Sequence, residues 1–293
     1  MSRRQLASAA RQDLEPPASR ALRLTLLAEE PPPASAAGPP GPDVELAPAP
    51  RPAVADPAPG VRRGPLLALA VCGCCGGVGA STLAYLVALA AARSRSEPVL
   101  VADTGGTGGG LAYYTGVVAP HSLAEIAESL AAGMVPGRPF ATASDGLRVL
   151  ATGPRFAAGC TSEGVELLLD DARVAHSLTV VDCGTLTREA DQIALANASH
   201  IAWVLPATHS GVRRASRMLE AIDPQMRGRE LVVARRDERE AKAALAHLKQ
   251  IASARHAPLI LVPHLPDLDR GNADEALETA QVSLQAIRGV LER

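Results

Sequence analysis

The sequence predicts an α/β domain in which a doubly wound, mainly parallel sheet carries helices on both faces. From Leu66 onward, short apolar runs alternate with stretches of helical periodicity. Most of the apolar runs are continuous, which indicates strands that are buried on both faces. Strands and helices that alternate over this length are typical of a doubly wound fold. The predicted strands are Leu66–Cys72, Pro98–Asp103, Leu147–Ala151, Leu178–Asp182, His200–Leu205, Glu230–Ala234 and Pro258–Val262.

Composition and charge narrow the class of protein. The 293 residues are 47% hydrophobic but only 2% aromatic, so the core must be aliphatic. The net charge of -2 gives no basic excess that would favour non-specific nucleic-acid binding. The 5 cysteines fit a reduced compartment better than a disulfide framework. No apolar run approaches the roughly 18 residues that span a bilayer, and we see no secretory signal, so we expect a cytoplasmic protein.

Residues 1–64 differ in composition from residues 65–293, which we assign to one folded domain. Fourteen of the 24 prolines fall at or before Pro65. Proline removes a backbone donor, and Ala, Gly and Pro offer little surface to bury, so the sequence predicts a disordered Pro-rich leader. We interpret the apolar patch at 21–28 as unstructured, with a short strand or a docking motif as alternatives.

Helical segments fill the gaps between the predicted strands. An apolar, Ala-rich segment at 83–92 follows the first strand. Ser210 is expected to cap a helix over "GVRRASRMLEAI". The last helix is predicted from about Ala273 to Leu291, because its apolar residues form one stripe that suits packing on the sheet.

The stretch "VCGCCGGVGAST", residues 71–82, joins the first strand to the first helix through a glycine-rich loop. Gly76, Gly77 and Gly79 allow backbone angles that are closed to other residues. Such a loop can turn its N–H groups around a phosphate, with a helix N-terminus behind it. The residues expected to bind a nucleotide are Gly76, Gly77, Val78, Gly79, Ala80, Ser81 and Thr82.

The loop departs from the usual pattern G-x-x-x-x-G-K-[ST] at two positions. Gly79 holds the second glycine and Ser81 the hydroxyl that faces a metal ion. Cys74 stands at the first glycine, and Ala80 stands where the lysine is expected. The sequence therefore predicts a phosphate-binding loop without its main charge.

Two predicted strands end in an aspartate. "LTVVDCG" ends its apolar run in Asp182, and "PVLVAD" ends in Asp103. Ligands of open α/β sheets bind at the C-terminal edge of the strands, and carboxylates there can hold Mg²⁺. With Ser81, these aspartates form the predicted metal site, to be used if a nucleotide binds.

The chain resembles the MinD/ParA superfamily of deviant Walker A proteins. The segments that carry the resemblance are "CGGVGASTLA", "VLVADTGGTGGGL", "LRVLATGP", "LTVVDCG" and "IAWVLPATHSGVRRASRML". The chain is most similar to the CpaE/TadZ branch, and within it to the actinobacterial CpaE-like proteins that are also called septum-site-determining proteins. The resemblance runs from about Leu66 to the C-terminus and leaves the leader uncovered.

The resemblance implies a loop of the form K-G-G-x-G-K-[ST]-T, which this chain matches at its glycines and hydroxyls but not at its lysines. Cys75 replaces the first lysine, which in the family reaches the partner's ATP across a dimer. Ala80 replaces the second, which binds the β- and γ-phosphates. A charged hydrogen bond contributes roughly 1.5–3 kcal/mol, so losing two lysines weakens triphosphate binding by about two to four powers of ten.

Two further motifs of the family are altered. In the family's D-x-D-P motif, Asp103 matches the first aspartate, but Gly105 stands at the water-positioning aspartate and Gly106 at the proline. The adenine-binding asparagine of the family falls on Ala234. Phosphate charge, water positioning and base recognition are thus altered together.

Several arginines and cysteines allow competing interpretations. Arg155, Arg213 and Arg214 are candidates for a replacement cation. The helix face formed by Arg213, Arg214 and Arg217 is interpreted as solvated rather than as a DNA-binding surface. Trp203 is interpreted as core.

The cysteines at the loop, Cys72, Cys74 and Cys75, have two interpretations. A thiol that faces the N–H groups of a helix N-terminus would have a lowered pKa and be reactive. We favour the alternative, in which Cys72 is a core residue and the other two fill the loop.

The resemblance implies a localisation or scaffolding protein for septum-site determination or for Tad-type pilus or secretion assembly. ATP or ADP with Mg²⁺ would bind weakly, and hydrolysis would be weak or absent. The expected partners are a second copy and components of the division or pilus machinery, with no DNA and at most peripheral membrane contact at the pole or septum. The alternative is an active Mg²⁺-dependent ATPase switch that cycles between monomer and dimer.

Overall fold

The continuous apolar runs of the sequence form one sheet. A computed structural model describes residues 67–104, 110–117, 121, 123–134, 140–143, 146–150, 162–222, 228–235 and 242–293. The predicted leader, Gly105, Gly106 and Arg155 lie outside the described residues. The strands are β1 Leu67–Gly73, β2 Val99–Asp103, β3 Ala141–Thr142, β4 Leu147–Leu150, β5 Leu178–Asp182, β6 His200–Pro206, β7 Glu230–Arg235 and β8 Leu259–Val262.

Helices occupy most of the connections between these strands. They are α1 Ala80–Ser94, α2 Gly110–Thr115, α3 Leu123–Ala131, α4 Ser162–Ala175, α5 Glu189–Asn197, α6 His209–Glu220, α7 Lys242–Ala254, α8 Pro266–Asp269 and α9 Ala273–Leu291. In the described part of the chain, no helix combines the length and the apolar character needed to cross a membrane.

The sheet has the strand order β3-β4-β2-β5-β1-β6-β7-β8. Every neighbouring pair is parallel except β3 with β4 at the edge, which is antiparallel. The central strand, β1, lies between β5 and β6. The prediction of a doubly wound, mainly parallel α/β domain is therefore confirmed.

Two apolar layers cover the two faces of the sheet, as the continuous strands require. Leu69 and Val71 of β1 face the layer that contains α1 and α9. Ala70 and Cys72, one residue out of phase, face the layer that contains α3 to α7. Trp203 is completely buried in the second layer, as predicted. Both layers are almost wholly aliphatic, because the chain has few aromatic residues to place there.

The structure corrects some predicted boundaries. Helix α6 begins at His209, and its cap is Thr208, whose hydroxyl accepts a hydrogen bond from the Gly211 N–H, rather than Ser210. Helix α2 begins at Gly110, the last residue of the glycine-rich stretch at 104–110. Helix α9 has the predicted bounds.

One buried ion pair joins β7 to the end of α7. The guanidinium of Arg255 contacts both carboxylate oxygens of Glu230 at 2.5 Å, and also donates to the Leu219 carbonyl at 2.8 Å. The Glu230 side chain is fully buried, so the pair compensates a charge that water does not reach.

Candidate functional site

The predicted phosphate loop connects β1 to α1 at the C-terminal edge of the central strand. Gly77 has φ 73° and Gly79 has φ 100°, both in the left-handed region that favours glycine. Gly79 is the N-cap residue of α1, and its carbonyl accepts the first helical hydrogen bond from Leu83. Glycine is therefore favoured at these two positions because the backbone adopts a left-handed conformation there.

The base of the loop is fixed to the neighbouring strands. The Gly73 N–H donates to the Gly184 carbonyl at 2.7 Å, and the Cys74 N–H donates to the Val204 carbonyl at 3.3 Å. A side chain at Gly73 would lie 2.7 Å from Val78, because the loop folds back over the strand end. Among the described residues, none accepts a hydrogen bond from the N–H groups of residues 76–79. These groups are available for an anion.

The positions of the two family lysines are neutral and packed. Ala80 is 8% exposed, and its Cβ lies against the end of β1 near Gly73. Cys75 is half-buried and packs against both apolar layers. The loop therefore presents backbone dipoles without a side-chain cation of its own.

The two predicted aspartates lie side by side at the same sheet edge. Asp103 and Asp182 are directly paired positions of β2 and β5, and both are buried. The Ser81 hydroxyl donates to the Asp182 carboxylate, and the Gly184 N–H donates to it at 3.1 Å. Burial, together with the nearby Asp103, raises the pKa of Asp182 to about 6.

These oxygen atoms suit Mg²⁺ in their chemistry. Hydroxyl and carboxylate oxygens are the ligands that Mg²⁺ prefers, and a cation would neutralise two adjacent buried carboxyl groups. Histidine, cysteine and carboxylate side chains form no cluster of three or more with metal-binding geometry in the described part of the chain. A metal ion here would therefore rely on Ser81, the two aspartates and ligands from a phosphate or water.

A polar network beside the aspartates was not foreseen from the sequence. The Thr104 hydroxyl lies 3.0 Å from the Asp182 carbonyl and 2.5 Å from Oδ1 of Asp191, which is completely buried. Arg188 donates to Asp191 through its backbone N–H and its Nε. Its Nη1 is buried and has no hydrogen-bond partner among the described residues. The i, i+3 spacing of Arg188 and Asp191 after a strand ending in Asp was the available signal.

The arginines that could replace the missing lysine differ in their distance from the loop. Arg213, Arg214 and Arg217 are all exposed on α6, and Arg214 lies close enough to Cys74 to act on that thiol electrostatically. Arg188 acts on Asp182 in the same way and was not among the predicted candidates.

The interpretation of the loop cysteines as reactive thiols is wrong for Cys74. Burial and the neighbouring Cys75 raise the pKa of the Cys74 thiol to about 12, whereas reactivity requires a lowered pKa. The two sulfur atoms lie 3.9 Å apart. Cys72 is completely buried, as expected of a core residue.

Helix α2 covers the first turns of α1 with aromatic side chains. The Tyr114 hydroxyl lies 2.8 Å from the Thr82 hydroxyl, and its ring stacks on Tyr85 with centroids 5.6 Å apart. Tyr113 packs edge-on against Tyr114 and is 68% exposed. A Cβ at Gly110 would lie 2.8 Å from Ser81 Oγ, so the start of α2 touches the loop itself.

A small cavity lies beside the loop, between the start of α1 and the ends of β7 and β8. Its volume is about 60 Å³, and its lining includes Gly79, Thr82, Arg235 and Asp269. Ala234 lies in the layer on the other face of the sheet. Val233 and Arg235 are the β7 residues in the lining of this cavity, whereas Ala234, the position that the resemblance aligns with the asparagine, is not among them.

The chain has an α/β fold like that of P-loop NTPases, and solved structures of MinD and ParA ATPases share this fold. The MinC:MinD cell division protein complex of Aquifex aeolicus matches with a TM-score of 0.61 and 18% identity, over 78% of this chain and 96% of that chain. A ParA family ATPase from Chlorobium tepidum TLS matches with a TM-score of 0.59 and 19% identity, over 77% and 97%.

A third similar structure contains a nucleotide. Cobyrinic acid a,c-diamide synthase from Mycobacterium smegmatis, with bound ADP and magnesium, matches with a TM-score of 0.54 and 18% identity, over 76% of this chain and 95% of that chain. No protein-family model matches this chain, and a search of the curated proteins finds no match. At these identities the likeness establishes the fold.

Proposed function

We propose that this chain is a degenerate P-loop protein of the MinD/ParA type, which localises or scaffolds a partner and has weak or absent ATP hydrolysis. The observation that carries the proposal is a loop with the glycine geometry of a phosphate site and no lysine. Gly77 and Gly79 keep the left-handed backbone, while the two lysine positions hold Cys75 and Ala80.

The loss of charge weakens phosphate binding without abolishing it. Two missing charged hydrogen bonds, at roughly 1.5–3 kcal/mol each, correspond to about two to four powers of ten in affinity. The N–H groups of the loop and the dipole of α1 still favour an anion, at roughly 0.3–1 kcal/mol. Hydrolysis depends on charge stabilisation and a positioned water, so it suffers more than binding.

We place the nucleotide base in the small cavity beside the loop, and its size supports the same proposal. Sites for small ligands usually have volumes of roughly 300–1,000 Å³, whereas the cavity beside Gly79 and Thr82 has about 60 Å³. Helix α8 and the side chain of Arg235 occupy the walls of this space. A purine would have to displace them to bind, which adds to the cost in affinity.

If a nucleotide binds, Gly76 to Thr82 would surround its phosphates, and Ser81, Asp103 and Asp182 would hold Mg²⁺. The metal would supply charge neutralisation for the phosphates. Ser81 would turn its hydroxyl from Asp182 toward the cation. Asp182 would then titrate at a lower pH, because a cation favours the carboxylate form.

The proposed partners are a second copy of the chain and a protein of the division or of the pilus or secretion machinery. The similar Aquifex aeolicus structure is a complex of MinD with MinC, which supports a protein partner. Residues Arg213, Arg214 and Arg217 are too few for a strong DNA-binding surface on a chain of net charge -2. We place the protein in the cytoplasm, with at most peripheral membrane contact.

One observation favours the alternative, an active ATPase switch. The guanidinium of Arg188 acts electrostatically on Asp182, and its Nη1 lacks a hydrogen-bond partner among the described residues. A phosphate at the loop offers acceptors to such a group, as a replacement for the lost lysine. The two functions differ in turnover, so the same experiment decides between them.

The test is calorimetric titration of the full chain with Mg-ATP and Mg-ADP, with a turnover assay on the same sample. The scaffold function predicts no binding tighter than about 100 µM, or roughly −5.5 kcal/mol, and no turnover above background. Tight binding with turnover would replace it with the switch function. In that case Arg188→Gln should abolish turnover, and the exposed control Arg217→Gln should not.

Ala80→Lys tests the loop itself. The lysine restores one charged hydrogen bond to phosphate, so triphosphate affinity should rise by about one to two powers of ten. Inorganic triphosphate is the sharper probe, because it needs no base cavity. Unchanged triphosphate binding in a variant that keeps the wild-type midpoint in urea would contradict the assignment of this loop as a phosphate site.

A further inference from the structure

A second cavity lies away from the phosphate loop, between α1 and α9. Its volume is about 690 Å³. Small-molecule sites usually have volumes of roughly 300–1,000 Å³, so this cavity is of an ordinary size for one. Its lining includes Leu178, the first residue of β5, and Arg95, which follows α1, so it reaches the N-terminal edge of the sheet. The nucleotide chemistry proposed above makes no use of this cavity.

The cavity is a long groove with an apolar lining. Its residues on α9 run from Leu277 to Leu291 at helical spacing, over about four turns or roughly 21 Å. On the facing side, Ala90 and Ala91 of α1 have short side chains that leave space opposite the leucines of α9. Ala90, Ala91 and Leu277 are only partly buried. A linear apolar chain that lay along the groove would remove this surface from water.

The Leu291 end of the groove holds two arginines that share one carboxylate. Arg95 Nη2 and Arg288 Nε face the same oxygen of Glu292, Oε1, at 3.9 Å and 2.6 Å. Arg95 also donates to the Ser177 carbonyl at 3.0 Å, and this bond holds its largely buried side chain in place. Two cations and one carboxylate leave this end of the groove with an excess of positive charge.

The Leu277 end has no such excess. Arg93 pairs there with Asp274 at 2.5 Å, near the start of α9. Glu278, the one carboxylate among the described lining residues, lies about 15 Å along the helix axis from Arg288, too far to compensate it. The groove therefore favours a ligand with an anionic group at one end and an apolar chain at the other.

We propose that this cavity binds a linear amphipathic carboxylate, of the class of a free medium-chain fatty acid. The carboxylate pairs with Arg95 and Arg288 as a second anion for the two guanidinium groups. Arginine suits this role because its planar guanidinium binds a carboxylate through two N–H groups. The chain lies along Ala90, Ala91 and the leucines of α9. This site is separate from the phosphate loop and adds a ligand to those of the proposed function.

The experiment titrates the full chain with octanoate, decanoate and dodecanoate by calorimetry, each below its critical micelle concentration. Affinity should rise about fourfold with each added methylene until the chain fills the groove. Decanol, which has the decanoate chain without the charge, should bind about tenfold more weakly. No binding of these acids, or equal affinity for decanoate and decanol, would overturn the proposal.

Substitutions test whether the ligand occupies this cavity. Arg288→Gln should weaken decanoate binding by about fivefold and leave decanol binding unchanged. Arg270→Gln is the matched control, because Arg270 is exposed and pairs locally with Asp267 but does not line the cavity. Ala91→Leu fills the groove and should weaken both ligands, in a variant that keeps the wild-type midpoint in urea. Decanoate binding that neither Arg288→Gln nor Ala91→Leu changes would refute the assignment.

Hydrogen exchange separates this ligand from other occupants of the groove. Decanoate should slow exchange in residues 87–95 and 277–291 by about threefold or more and leave β6 and β7 at the unliganded rate. Binding to phosphatidylglycerol vesicles without binding of free decanoate would overturn the proposal in favour of a membrane surface. Protection of 277–291 in a dimer that binds no decanoate would replace the ligand with a second copy. These readouts need no nucleotide, so their result stands apart from that of the proposed function.

Discussion

Replacing Asp182 with asparagine should remove a pH-dependent loss of stability that the buried carboxyl group causes. Burial and the adjacent Asp103 raise its pKa from 3.8 to about 6. At about 1.4 kcal/mol per pKa unit, the native state loses about 3 kcal/mol as the pH rises through this window. The sign follows from proton binding, since the native state holds this proton more tightly than the unfolded chain does. Below pH 3.8 the carboxyl group is protonated in both the native and the unfolded state, so the number of bound protons no longer differs and stability no longer depends on pH through this group.

Asparagine keeps the shape of Asp182 and still accepts from Ser81 and Gly184, but it carries no charge. Urea unfolding of both proteins between pH 4 and pH 8 measures the effect. The variant should gain up to about 3 kcal/mol relative to the wild type as the pH rises, and most of this gain should be complete near pH 6. The exposed Glu189→Gln is the matched control and should follow the wild-type profile. Parallel profiles for Asp182→Asn and the wild type would refute the reasoning.

Two stability predictions follow from packing. Gly110→Ala should destabilise by about 1–3 kcal/mol despite alanine's better helix propensity, because its Cβ would lie 2.8 Å from Ser81 Cβ and Oγ. Gly289→Ala, with open space around the new Cβ, should instead stabilise by up to about 1 kcal/mol in the same urea assay, and equal effects at both glycines would contradict this account. Glu230→Ala should cost about 3–5 kcal/mol, because it leaves the Arg255 charge buried, whereas Glu230→Leu with Arg255→Met should cost much less, and equal losses would argue against the buried-charge explanation.

The sequence was most informative where local pattern and burial agree. Each predicted strand is present, since a continuous apolar run can satisfy itself only inside a sheet covered on both sides. The strand predicted from Pro98 begins instead at Val99. The short edge strand β3 was missed because Ala141 and Thr142 carry no apolar run, and their pairing depends on the neighbouring β4.

The candidate site was predicted in its backbone and carboxylates but not in its polar surroundings. Gly77 and Gly79 could be predicted from their spacing in the loop, and Asp182 could be predicted from its position at the end of an apolar strand. The network of Thr104, Arg188 and Asp191 depends on contacts between β2 and the start of α5, which are 84 to 87 residues apart in the chain. A local sequence pattern does not predict a contact between residues so far apart in the chain, so this network could be identified only from the tertiary structure.

The distribution of aromatic residues allows two parts of the protein to be followed separately by intrinsic fluorescence. All 3 tyrosines lie together where α2 packs on α1, since Tyr85 is in α1 and Tyr113 and Tyr114 are in α2. The single tryptophan, Trp203, is completely buried in the sheet. Tyrosine fluorescence therefore reports on the surroundings of α1 and α2 beside the loop, and tryptophan fluorescence reports on the core. Following both during one titration would distinguish a local rearrangement of α2 from unfolding of the whole domain, without any added label.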